Sequence, residues 1–176
     1  MDLLKEAKKS NKEAYLSLID KYSTIFYKVA RVYFFLDMDI YNSIELALTE
    51  FYHGIINIKT EREFLCQAIK HLISTCEEME KKLPPEINAD NDDDGISPNK
   101  NTKYKMYKSD SIVEKCMTSL NKEEKIPALL YFYADLTINE IAAITNLSKN
   151  EVKKRINNSK NNIFDTLDKE EANNGK

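Results

Sequence analysis

The stretch Leu136-Thr-Ile-Asn-Glu-Ile-Ala-Ala-Ile-Thr-Asn-Leu-Ser-Lys-Asn-Glu-Val-Lys-Lys-Arg-Ile156 contains two helix starts built on one plan. Thr137 is placed to cap a first helix, and Glu140, three residues on, completes the pattern of a capping box. Leu136 and Ile141 occupy the two positions of a hydrophobic staple. Ser148 repeats the device with Glu151, and Leu147 with Val152 supplies the second staple. A short turn at Asn146 separates them. Two capped helices joined this tightly, the first only about two turns long, predict a helix-turn-helix.

The second helix has the character of a recognition helix. Val152, Ile156, Ile163 and Leu167 make a narrow apolar seam with small Ser159 between. The other faces carry Lys149, Asn150, Lys153, Lys154, Asn157, Asn158 and Asn161. Lysines contact phosphates, and asparagines pair bidentately with adenine edges in the major groove. The first turns of such a helix reach the bases, which favours Asn150, Lys153, Lys154 and Asn157. Residues 149–160 hold five basic side chains against Glu151 alone. The competing reading is a helical hairpin whose polar face is merely solvated.

Working outward, the 176 residues suffice for one medium domain or two small ones. Only 3 are Gly and 4 are Pro, which points away from turn-rich sheets and toward an all-α chain. Pro84-Pro85 stops any helix, and from Asn88 to Lys105 the only large apolar residues are Ile96 and Tyr104. Such a stretch cannot offset its ordering entropy by burial. The expected layout is therefore two small helical domains, 1–83 and 112–170, joined by a flexible acidic linker, 84–111, with a disordered tail at 171–176. The first lobe shows three helical stripes: Ala14 to Tyr33, Ile40 to Phe51, and Phe64 to Ile73. Its 12 basic residues face 13 acidic ones, so any nucleic-acid surface must be local.

Several function classes drop out. Gly54, Gly95 and Gly175 are too scattered for a phosphate cradle. No apolar run approaches the ~20 residues of a membrane helix, and no signal-peptide pattern follows the N-terminal lysines. Three cysteines, Cys66, Cys76 and Cys116, form a poor disulfide framework, which fits a soluble cytoplasmic protein. Asp90 to Gly95 opens like a calcium loop, but its twelfth position is Asn101 rather than a bidentate Glu. Cys66, His71 and Cys76 are spaced by five, so one helix cannot bring them to one metal. No metal site, cofactor site or catalytic constellation is expected.

Leu120 to Phe164 resembles region 4 of bacterial extracytoplasmic-function (ECF) sigma factors. The carrying residues are Leu120-Asn121, Ala128 to Phe132, Leu136-Thr137 with Glu140-Ile141-Ala142, and Glu151-Val152-Lys153-Lys154-Arg155-Ile156. The N-terminal lobe is similar to region 2 of that family. Leu18 to Tyr22 resembles its early Leu-x-x-x-Tyr helix, and Asp39 to Phe51 lies where its acidic clamp-binding pattern is expected. The resemblance implies a non-enzymatic factor that binds core RNA polymerase and directs promoter recognition. Region 4 would read duplex promoter DNA through Lys149, Asn150, Lys153, Lys154, Asn157 and Asn158. Region 2 would dock on polymerase through Asp39, Asn42, Glu45 and Leu46, and Asn57 to Arg62 lies where the family captures a flipped base. An anti-sigma factor is a further partner that the resemblance leaves open.

The chain departs from the family's pattern in three places. Asp-Ala-Glu-Asp becomes Asp39-Ile40-Tyr41-Asn42; Glu77-Glu78-Met79-Glu80 puts acid where phosphate-binding base is expected; and Pro127 falls inside an expected helix, predicting a late start or a kink. The acidic segment supports an alternative: a degenerate sigma-like regulator that binds polymerase or DNA without opening promoters itself. A response-regulator output domain would share Leu-Thr-x-x-Glu-Ile-Ala, but its receiver needs parallel strands that residues 1–83 do not suggest.

Overall fold

The computed structural model describes residues 2–82, 117 and 120–174, and among them every regular element is helical. The first group is α1 (Leu3–Ala7), α2 (Lys12–Lys21), α3 (Ser23–Ala30), α4 (Asp37–Tyr52) and α5 (Glu61–Lys82), with a 3-10 turn at Ile55–Asn57. The second group is α6 (Lys122–Phe132), α7 (Ile138–Thr145) and α8 (Lys149–Asn174). The expected linker at 84–111, with its calcium-like stretch, and Cys116 lie outside the described residues.

The first sequence stripe is two helices rather than one. At Tyr22 the backbone leaves helical geometry (φ −109°, ψ 10°). The Ser23 hydroxyl donates to the Asp20 carbonyl at 2.8 Å, giving that oxygen a side-chain partner in place of a helical N–H. α4 and α5 then pack on α3, and Phe26, Ile40, Phe64, Ile69 and Leu72 are fully buried at their junction. Tyr15 crosses from α2 to donate its hydroxyl to the Leu48 carbonyl at 2.5 Å. α4 ends at Tyr52, with His53 as its C-cap, as the His53-Gly54 pair suggests.

α5 begins on Thr60, whose hydroxyl accepts the Glu63 N–H at 3.1 Å. The Glu63 carboxylate reaches back to the Lys59 N–H at 2.8 Å.

The two groups share one apolar cluster. Ile126, Leu130, Leu136, Ile141, Ile144, Val152 and Ile156 lie in the same buried body as Phe26, Phe64, Ile69 and Leu72. α5 packs on α7, and α3 packs on α6. Val32 also covers the small cluster of Met117, Leu120, Ala128 and Leu129.

Pro127 neither delays the helix nor ends it: α6 starts at Lys122, on an Asn121 cap whose side chain accepts the Glu124 N–H at 2.9 Å. A proline at 127 deprives the carbonyl four residues back, Glu123, of its ordinary partner. The Arg155 guanidinium fills that place, donating to the Glu123 carbonyl at 3.0 Å. The same side chain meets the Glu123 carboxylate at 3.1 Å and the Glu151 carboxylate at 3.0 Å. Arg155 is thus a brace between α6 and α8. α8 itself runs past the boundary expected at 170, because the first residue that favours stopping it is Gly175.

The brace predicts a measurable coupling. Arg155→Met keeps the apolar stem and removes the donors, and is expected to lower stability to urea by about 1 kcal/mol. In a Pro127→Ala background the loss should shrink, because residue 127 then returns an N–H to Glu123. Equal losses in both backgrounds would mean that the carbonyl bond contributes nothing.

Candidate nucleic-acid interface

Thr137 and Glu140 form a complete capping box on α7. The Thr137 hydroxyl accepts the Glu140 N–H at 3.3 Å, and the Glu140 carboxylate accepts the Thr137 N–H at 2.7 Å. Staple residues Leu136 and Ile141 are both buried. Asn146 closes α7 in the left-handed region (φ 56°, ψ 23°), which short polar side chains tolerate better than others. Ser148 then caps α8, accepting the Glu151 N–H at 3.1 Å. The second box differs from the first, since the Glu151 carboxylate turns to Arg155 instead of back to its cap. This pairing holds the Glu151 carboxyl below the usual range.

On α8, Val152, Ile156 and Ser159 are buried and Ile163 is half-buried, which forms the inner seam; the Leu167 side chain lies outside the described residues. At 100° per residue, Lys149, Asn150, Lys153, Lys154 and Asn157 fall within about 140° of arc that starts at the edge of this seam and turns away from it. All five are exposed. They form a continuous outward strip that begins at the helix N-terminus.

Three residues of the stretch 149–160 turn to partners within the chain instead. Arg155 is turned inward to its brace. Asn158, also exposed, points its amide at the Glu124 carboxylate on α6 at 3.4 Å. Lys160 lies over the Tyr131 ring, 5.1 Å from its centroid.

The second candidate surface is the outer side of α4. Asn42, Glu45 and Leu46 are exposed, Asp39 is half-exposed, and Met38, 74% exposed, extends the same side by one turn. Phe35, at 70%, adds a further apolar group just before the helix.

The third candidate, Asn57 to Arg62, leads directly into the other lobe. Arg62 donates Nε to Glu140 Oε1 at 2.7 Å and Nη2 to Oε2 at 2.8 Å, a bidentate pair. Its Nη2 also reaches the Asp135 carbonyl at 2.5 Å, where the chain adopts a second left-handed turn (φ 51°). Glu140 therefore serves the α7 cap and the lobe contact with one carboxylate. At the far end of α5, Glu80 pairs with Lys122 of α6, whose ammonium also lies over the Tyr33 ring at 4.3 Å from its centroid. None of these cross-lobe partners was read from the sequence. The Thr60-x-x-Glu63 cap also went unread, although its pattern is plain there.

Cys76 is buried, which pushes its thiol up to about 11, and Cys66 is half-buried beside Glu140. Among the described residues no cluster of three or more His, Cys, Asp or Glu could hold a metal ion, and no helix is long and apolar enough to cross a membrane.

The Arg62 pair and the cap bonds hold the Glu140 carboxyl down at about 2, from an ordinary 4.5. A lowered carboxylate stabilises above its unfolded-state value and loses that stability as pH falls through its folded value. Glu140→Gln should therefore cost about 1 kcal/mol at neutral pH. The difference from wild type should fade between pH 4.5 and about 2. Urea titrations at several pH values check this, and a pH-independent difference would contradict it.

No protein-family model matches this sequence, and no curated protein matches it. A search of solved structures does find a likeness: the structure of CnrH in complex with the cytosolic domain of CnrY. The TM-score is 0.62 at 14% identity, covering 94% of this chain and 95% of that one. At that identity the likeness shows the fold alone.

Proposed function

We propose that this chain is a sigma-factor-like protein that binds core RNA polymerase and directs it to promoter DNA. The observation that carries the proposal is the exposed strip Lys149, Asn150, Lys153, Lys154 and Asn157, backed by a buried seam and started by a capped turn. A solvated hairpin needs no such segregation of lysine and asparagine at the start of a helix. CnrH is itself an ECF sigma factor, so the whole-chain likeness supports the same class of role.

In this reading the protein does no covalent chemistry. The lysines hold phosphates and set register, and Asn150 and Asn157 read base edges. Asp39, Asn42, Glu45 and Leu46 on α4, with Met38 beside them, form the polymerase-docking side. Asn158 sits at the margin of the DNA surface, since it also reaches Glu124. The neighbour's solved complex with the cytosolic domain of CnrY favours a protein regulator, an anti-sigma factor, as a further partner of this chain. The cytoplasm is the compartment this role requires.

A second reading has its own support. Glu77, Glu78 and Glu80 keep the end of α5 acidic, and Glu80 holds the Lys122 ammonium, a cation that phosphate would otherwise meet. This favours a regulator that holds polymerase or DNA but needs another factor to open promoters.

The experiment is promoter-fragment binding by the full chain with core polymerase, across a salt series. Lys153→Ala and Lys154→Ala should each weaken binding and reduce the salt slope by about one. Asn157→Ala should relax base preference at one position without changing the slope. Leu46→Glu should weaken polymerase binding and leave the salt slope alone. Unchanged binding in all three α8 variants would make the strip a solvated face.

A further inference from the structure

Two outward helix faces of this chain are opposite in charge and similar in length. On α4 the outer side centres on Met38, Asn42 and Leu46, with Asp39 at one edge and Glu45 at the other. At 100° per residue these five fall within about 120° of arc. Residues 37–52 carry four acids and no Lys, Arg or His. Asp37 and Glu50 meet Tyr27 and His71 within the chain, so Asp39 and Glu45 give the outer side its charge.

The outward strip of α8 has the complementary plan. Lys149 and Lys153 lie along one edge of its arc and Lys154 along the other, with Asn150 and Asn157 between. Phe164, 62% exposed, falls on the same arc about four turns along. Lys149 to Phe164 spans about 22 Å, and the 16 residues of α4 span about 24 Å. Each face thus has a neutral centre with exposed apolar groups, flanked on both edges by one sign of charge. Exposed apolar groups rimmed by charge are the usual make-up of a surface that meets another protein.

We propose that α4 of one copy of this chain docks on α8 of a second copy, acidic edges against lysine edges. The two faces are unlike, so two copies can close the contact reciprocally, each giving its α4 to the other's α8. One helix laid on another buries less than a standard interface, which makes the association weak and transient. Its charge pairs lie at the rim, so salt weakens it further. The contact stands apart from the DNA reading of α8; only the competition with duplex described below rests on that reading.

Sedimentation equilibrium of the full chain across a salt series tests this. Wild type should associate at low salt and come apart as salt rises. Asp39→Lys with Glu45→Lys in one protein, and Lys153→Glu with Lys154→Glu in another, should each weaken self-association about twentyfold. That is the scale of two exposed ion pairs turned to repulsion. Mixed one to one, the two proteins should associate as wild type does, because the reversed α4 then meets the reversed α8. All four changes in one chain return the net charge to −3 and should restore self-association, which separates a specific contact from bulk attraction. Asp39→Asn with Glu45→Gln should weaken association about fivefold, and keeps the test decisive if a reversed helix fails to fold. Short duplex DNA should compete for α8 and dissolve the association. A wild type that stays monomeric up to about 1 mM at low salt leaves both faces to other partners and overturns the proposal. So does association that ignores either reversal, or a four-change chain that stays apart. Duplex that binds without dissolving the association overturns it too, whereas duplex that does not bind at all overturns the DNA reading alone.

Discussion

The carboxylate of Glu140 joins local folding to global arrangement. One oxygen pair completes the cap that starts α7 and receives the guanidinium of Arg62, 78 residues away in sequence. The cap sets where α7 begins, so it sets the phase of the turn at Asn146 and the direction in which α8 leaves. The ion pair sets where that unit sits on α5. Loss of the carboxylate would disturb both, and the Arg62 and Thr137 bonds that it accepts are what keep it charged.

Arg155 plays a comparable part on the other side of the helix-turn-helix. A proline inside α6 would ordinarily leave a carbonyl unmatched. Here that carbonyl, the Glu123 side chain and Glu151 share one guanidinium. The three-helix unit is thereby stiffened by a polar contact at its rim as well as by Val152 and Ile156 in its core. Under the proposed function a rigid unit is what α8 would need, since base contacts depend on register.

Features set by near neighbours were legible in the sequence. The helix-turn-helix, its caps at Thr137 and Ser148, and the end of α4 at His53 all depend on residues within a few positions of one another. The buried seam at Val152, Ile156 and Ser159 follows from helical period. The break at Tyr22 escaped because it turns on one serine hydroxyl competing for a carbonyl. Arg155 shows a different limit: its charge was readable, but its inward direction depends on a carbonyl exposed by Pro127 on another helix. Arg62–Glu140 and Glu80–Lys122 join residues far apart in the chain, and no local pattern marks either pair. The acid at the end of α5 read as a missing phosphate contact, whereas Glu80 has a partner within the chain.

The surfaces divide the proposed work. α8 presents lysine and asparagine outward, α4 presents an acidic and apolar side, and α5 ties the two lobes together between them. We propose that this arrangement starts transcription. The most direct measurement is in vitro transcription by core polymerase on a genomic fragment library, with this chain as the only added factor. The expected result is a set of discrete transcripts whose start sites share a common upstream sequence and that vanish when the chain is omitted. Polymerase that binds the chain yet yields no such transcripts would contradict it.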